Sequence, residues 1–146
     1  TRLANTEAAV AQEGSDEPVG TAQIVSELRR TLSEIGADAV VEERGGVGLI
    51  PGKAARAMVL AARQAIGNAV AHAHGRGLHI IAEGHGDEGM TVTVIDTGAG
   101  FDVAEIGEDR LGIRASIFAR MAAVAGTATI DSAEGGTTVV LGWERP

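Results

Sequence analysis

Two stretches of the sequence carry apolar, strand-forming runs on either side of a short glycine-bearing turn, and they constrain the architecture more than any other feature. Leu78-His-Ile-Ile-Ala82 and Met90-Thr-Val-Thr-Val-Ile95 flank Glu83-Gly-His-Gly-Asp-Glu-Gly89, and Thr127-Ala-Thr-Ile-Asp131 and Thr137-Thr-Val-Val-Leu-Gly-Trp143 flank Glu134-Gly-Gly136. Runs joined so closely can pair only as antiparallel neighbours. Helical periodicity surrounds them. Ile24, Val25, Leu28, Leu32 and Ile35 follow Thr21, a candidate N-cap, and stop at Gly36; a long helix spans about Lys53 to Ala73, and another about Gly112 to Ala125. Ala39-Val-Val-Glu42 reads as a short strand, followed by a glycine-rich connection to Pro51-Gly52. The order is helix, strand, helix, strand, strand, loop, helix, strand, strand. It predicts a two-layer α/β sandwich, a mixed and mainly antiparallel sheet with its helices on one face, rather than a doubly wound parallel sheet.

The 146 residues suit one domain, with residues 21–146 as its body. Residues 1–20, acidic and punctuated by Gly14, Pro18 and Gly20, read as a linker or the end of an upstream helix. The chain opens at Thr1 without an initiator Met, so it is expected to be a piece of something longer. Aromatic residues are only 2%, which leaves the core to Ala, Val, Ile and Leu and removes the stacking platform that single-stranded nucleic acid needs. A net charge of −8 repels phosphate backbones and anionic lipid, so neither nucleic acid nor a membrane surface is an expected partner. Cysteine is absent, and with it disulfides and thiolate chemistry. No apolar run reaches the roughly 18 residues of a spanning segment, and no stretch reads as a signal peptide.

On the long helix Gln64, Asn68 and His72 are spaced four apart and share one face. By itself this stripe reads as the solvated side of an amphipathic helix. Read functionally, Asn68 is a neutral oxygen ligand for a magnesium ion that bridges nucleotide phosphates, because magnesium prefers oxygen ligands and keeps several waters. Asp96-Thr-Gly98-Ala-Gly100-Phe-Asp102 follows an apolar strand directly. It reads either as a plain strand-ending turn or as a carboxylate that accepts a hydrogen bond from an exocyclic amine, with glycines that let backbone approach a ligand. No Walker phosphate loop occurs, and no Gly-x-Gly-x-x-Gly follows a strand.

In their order, these elements resemble the GHKL (Bergerat-fold) ATPase superfamily, over roughly residues 21–146. They look most like the ATP-binding catalytic domain of sensor histidine kinases of the nitrate-sensor type. Gln64-Ala-Ile-Gly-Asn68-Ala-Val-Ala-His72-Ala73 is similar to the asparagine box, with Asn68 the implied magnesium ligand and His72 beside it. Asp96-Thr-Gly98-Ala-Gly100-Phe101 is similar to the first glycine box, with Asp96 the implied adenine contact. Leu111-Gly112-Ile113 resembles the second, whose helix start would offer free N–H groups to phosphate. Gly135-Gly136-Thr137 resembles the late Gly-Thr, whose hydroxyl supports adenine binding. Residues 101–111, polar and without period, then become the expected mobile lid, with Arg110 the cation that meets phosphate.

The pattern departs from the family at three places. Gln64 stands where the family commonly has a glutamate, the position of a base; Arg110 and Gly112 replace the usual pair of glycines; and Thr97 follows the first-box aspartate in place of asparagine. The resemblance implies ATP and magnesium as cofactors. It implies transfer of the γ-phosphate to a histidine on a separate dimerisation domain, and through that to a response regulator in a two-component system. Dimerisation would come only through the upstream segment, and the domain is expected in the cytoplasm, with or without a membrane anchor on its parent. None of His72, His74, His79 and His85 has an acceptor's context, so the isolated chain is not expected to phosphorylate itself, and Gln64 implies slow hydrolysis. The alternative is an ATP-binding regulator of the anti-sigma-factor type, without efficient phosphotransfer.

Overall fold

The computed structural model describes residues 17–73, 77–97, 108–133 and 136–146. Along the chain these form β1 (Val19–Gly20), α1 (Thr21–Ile35), β2 (Val40–Arg44), β3 (Leu49–Ile50), α2 (Gly52–Ala73), β4 (His79–Gly84), β5 (Gly89–Asp96), α3 (Glu108–Ala122), β6 (Thr127–Ala133) and β7 (Gly136–Glu144). The five long strands make one sheet in the order β2-β4-β5-β7-β6, antiparallel except for the parallel pair β2–β4. The mixed, mainly antiparallel sheet expected from the strand pairs is therefore what forms. α2 is the crossover that a parallel pair requires.

Register decides which residues are buried. Ile80, Val94 and Val139 align across β4, β5 and β7, as do Ala82, Val92 and Leu141, and all six are buried with Met90 and Trp143 on one face. Leu28 and Leu32 of α1, Met58, Ala62 and Ile66 of α2, and Ile117 and Met121 of α3 complete that core. The helices thus cover a single face. On the other, Ile81, Thr93 and Val140 align half-exposed.

Several sequence expectations are corrected. Thr21 is the first residue of α1 and not its cap; Gly20 caps it, donating its N–H to Gln23 Oε1 at 3.1 Å. The Thr21 hydroxyl is instead engaged with Gly48, whose N–H donates to it at 2.7 Å. The connection between β2 and α2 contains the two-residue strand β3, paired with β1 and too short to leave a periodic signal. α3 begins at Glu108, not near Gly112, because acidic residues are favoured in a first turn by the helix dipole and one interior glycine costs only about 1 kcal/mol. It also ends earlier, at Ala122, where a turn with Ala125 at φ 58° leads into β6. Residues 1–16, read as linker, and 98–107, most of the expected lid, lie outside the described residues.

At the start of β5 the chain packs backbone on backbone. Gly48 forms an isolated bridge with Gly86, Leu49 donates to the Gly86 carbonyl at 3.0 Å, and Gly86 donates to the Val47 carbonyl at 3.0 Å. A Cβ at Gly84 would collide with the Gly48 nitrogen, and one at Gly48 would lie 2.6 Å from the Gly84 Cα. Only glycine permits this approach.

Candidate functional site

Connectivity gathers four segments at the opposite end of the sheet. β5 ends there at Asp96, β7 begins there, α2 finishes just before β4 starts, and α3 enters from the segment that follows Asp96.

Asp96 and Thr137 face each other across the β5–β7 ladder, each only 6% exposed, in line with the apolar row below them. A carboxylate and a hydroxyl in such a place need polar company. Thr137 shares a 2.9 Å hydrogen bond with Ser132 of β6, its neighbour across the β6–β7 ladder. Gly136 makes the approach of the strands possible: its φ is +130°, and any Cβ there would run into the Asp96 carbonyl. The Gly-Thr dipeptide expected beside the aspartate is thus adjacent to it, with Gly136 supplying space and Thr137 a hydroxyl. Thr97 is exposed and packs over Gly77, where a Cβ would strike its side chain.

α2 presents Gln64 and Asn68 inward. Among its described side chains the exposed positions are Lys53, Arg56, Arg63, Gly67 and Ala71, whereas Gln64 and Asn68 are half-buried, so these two do not lie on the solvated side of the helix. Asn68 Oδ1 is fully buried and, among the described residues, accepts no hydrogen bond. A buried acceptor left so forfeits about 1–3 kcal/mol, which makes it a marker for a ligand. An amide oxygen is the donor type magnesium takes, so the residue fits the ion implied by the sequence pattern.

Gln64 is engaged elsewhere. Its Nε2 donates to Ser116 Oγ at 3.0 Å, and its Oε1 accepts from Arg120 Nε at 3.0 Å and from Ser116 Oγ at 3.2 Å. Ser116 and Arg120 are four residues apart on α3 and were not singled out by sequence, because nothing local ties them to a residue more than fifty positions earlier. Ser132 was likewise missed; its only sequence signal is its place in an alternating strand opposite Thr137.

The early start of α3 places Arg110 and Leu111 in its first turn and Gly112 in its second. The free N–H groups of that helix therefore belong to Glu108–Leu111, not to Gly112 as the box pattern implied. Gly112 is exposed, and a Cβ there would meet nothing within 4 Å among the described residues. Gly98 and Gly100 and the side chains of His72 and Arg110 lie outside the described residues. His79, half-buried and level with Ile95, donates from Nε2 to Glu42 Oε1 at 2.6 Å, and His85, exposed near the other end of β5, pairs with Thr91 at 3.1 Å. No helix among the described residues is long and apolar enough to cross a membrane, and no cluster of three or more His, Asp or Glu residues among them could hold a metal.

No protein-family model matches the sequence, and no curated protein does. Solved structures do match. The ATP-binding domain of PrrB from Mycobacterium tuberculosis superposes with a TM-score of 0.67 at 21% identity, over 90% of this chain and 98% of that one. The mycobacterial sensor histidine kinase MprB gives 0.66 at 17% identity, over 90% and 99%. The histidine kinase domain of the blue-light activated kinase from Erythrobacter litoralis EL346 gives 0.65 at 18%, over 84% of this chain and 63% of that one. The chain thus spans somewhat under two thirds of the Erythrobacter domain. At these identities the likeness establishes the fold: it is the fold of histidine kinase ATP-binding domains.

Proposed function

We propose that this chain is the ATP-binding catalytic domain of a sensor histidine kinase, of the nitrate-sensor type by its ordered sequence boxes. It binds ATP with magnesium and presents the γ-phosphate to a histidine on a separate dimerisation domain. The observation that carries the reading is Asn68 Oδ1, a buried oxygen with no partner among the described residues, on the helix that ends beside the Asp96–Thr137 pair. In this reading Asn68 offers its oxygen to magnesium, Asp96 accepts from the adenine amine, Thr137 supports that contact through its hydroxyl, and the first turn of α3 offers N–H groups to phosphate. Magnesium, when bound, neutralises phosphate charge. Positioning and charge neutralisation are most of what phosphoryl transfer asks of a protein.

Titration calorimetry with ATP, with and without magnesium, tests this. Wild type is expected to bind more tightly with magnesium. Asn68→Leu should lose about tenfold of that affinity while unfolding stability stays level or rises by about 1 kcal/mol, because an unpaired buried acceptor is gone. A wild-type protein indifferent to magnesium, or an Asn68→Leu protein that binds like wild type, sinks the assignment.

One observation favours the second reading, an ATP-binding regulator that grips a protein partner without efficient transfer. Gln64, at the position of the family's carboxylate, is neutral and already bonded to Ser116 and Arg120. Incubation with γ-labelled ATP and a histidine-bearing dimerisation domain separates the two, since only the kinase yields acid-labile phosphohistidine.

A further inference from the structure

The contact between α2 and α3 is poor in features that would fix its register. The residues of α2 buried between positions 61 and 69 are Ala61, Ala62, Ala65, Ile66 and Ala69. Four of these five are alanine, and a surface dominated by methyl groups, with Ile66 its one larger ridge, has shallow grooves, so packing alone resists sliding or rotation of a neighbouring helix weakly. A directional contact is what such an interface lacks.

The Gln64–Ser116–Arg120 cluster is directional. One amide uses both its ends, donating through Nε2 and accepting through Oε1, on two residues that share a face of α3. Its partners are half-buried, where hydrogen bonds are less exchanged with water than at the surface. Along α2, Asn68 lies one turn beyond Gln64. Along α3, Ser116 lies two turns beyond the helix start at Glu108. Because the two helices run in opposite directions past each other, both distances lead from the cluster toward the Asp96 end of the sheet.

We propose that Gln64 is a positioning residue rather than a substitute base: its amide locks the register of α3 against α2, and thereby sets the separation between Asn68 and the first turn of α3. The consequence for phosphate binding rests on the nucleotide reading above; the lock itself does not. The chemistry also predicts the conservative replacement. A glutamate at 64 can accept from Arg120 and from the Ser116 hydroxyl together, so it preserves the lock, whereas a leucine, which carries no polar atom, removes it. Arg120→Met breaks the same contact from the other helix.

The test measures amide hydrogen exchange of the nucleotide-free protein and affinity for magnesium-ATP in Gln64→Leu, Arg120→Met, their double variant and Gln64→Glu. Gln64→Leu and Arg120→Met are each expected to speed exchange across Ile113–Met121 by about tenfold, with Val92–Ile95 unchanged, and the double variant to add nothing further. Both should weaken magnesium-ATP by about tenfold, and Gln64→Glu should restore exchange and affinity without faster hydrolysis. Exchange in α3 that stays at the wild-type rate in both single variants overturns the lock. So does a rise of about tenfold or more in hydrolysis by Gln64→Glu, which would mark the position as that of a base. Wild type that fails to bind ATP while α3 exchange responds as expected would overturn the nucleotide reading and uphold the lock.

Discussion

The two ends of β5 solve opposite problems. At Gly89 the strand starts in a knot of backbone in which Gly48 and Gly84 touch and no side chain intervenes. At Asp96 it finishes among buried polar side chains, with Thr137 facing it, Ser132 behind, and the Asn68 oxygen unpartnered among the described residues. The first end is closed by removing side chains; the second is costly to keep because polar groups replace apolar ones. A structure that spends stability at one end and saves volume at the other separates the part that holds the sheet from the part where the proposed nucleotide site lies. Substitutions at the two ends should accordingly fail in different measurements.

The largest effect is expected at the closed end. Gly84→Ala drives a methyl group into the Gly48 backbone nitrogen, which cannot swing aside as a side chain could. It should lower unfolding stability by about 3 kcal/mol in a denaturant titration, with nucleotide affinity of the folded fraction unchanged. A stable Gly84→Ala protein would break the contrast.

Asp96→Ala is the counterpart at the open end. A lost hydrogen bond to a charged acceptor is worth about 1.5–3 kcal/mol, so ATP affinity should fall roughly tenfold to a hundredfold. Calorimetry that finds equal binding would remove Asp96 from the site.

The smallest effect belongs to a cluster on the rim strand β2. Glu42 on β2 accepts from Arg44 at 2.8 Å and from His79, and the Arg44 hydrogen bond above all holds its carboxyl below the ordinary glutamate value. A carboxyl whose folded value is lowered adds stability that is complete above its unfolded value and disappears as pH falls through the folded one. Arg44→Ala should therefore raise the Glu42 midpoint toward the ordinary value in an NMR titration, with ATP binding and Gly84-end packing untouched. A midpoint that stays put would show that Arg44 is not its partner in solution.

Legibility followed sequence separation. The β4–β5 hairpin was readable because apolar runs and turn residues lie within eighteen positions, and α2 because its period runs through six turns. The Gly48–Gly84 knot was not, since a glycine announces freedom of the chain but not which distant backbone it meets. Gln64 was identified as a site residue from the box pattern, yet its partners on α3 depend on how two helices are docked. The start of α3 was missed because Glu108, Asp109 and Arg110 have no apolar period, although they suit a first turn. Asn68 and Asp96 were legible as residue types at plausible positions; that one would carry a buried oxygen without a partner among the described residues, and that the other would lie level with Thr137, required the packing and the register.

The strand order has a consequence for contact between molecules. β2 and β6 form the two rims of the sheet, each a row of backbone groups paired on one side only. On β2, Glu42, Glu43 and Arg44 are consecutive charges that any added strand would have to desolvate. On β6, Thr127–Ala133 holds a single charge, Asp131, between Ile130 and Ser132, and its threonines and isoleucine have high strand propensity. Strand addition and the first step of aggregation on heating are thus far better guarded on one rim than on the other, where the exposed Asp131 carboxylate stands alone as gatekeeper.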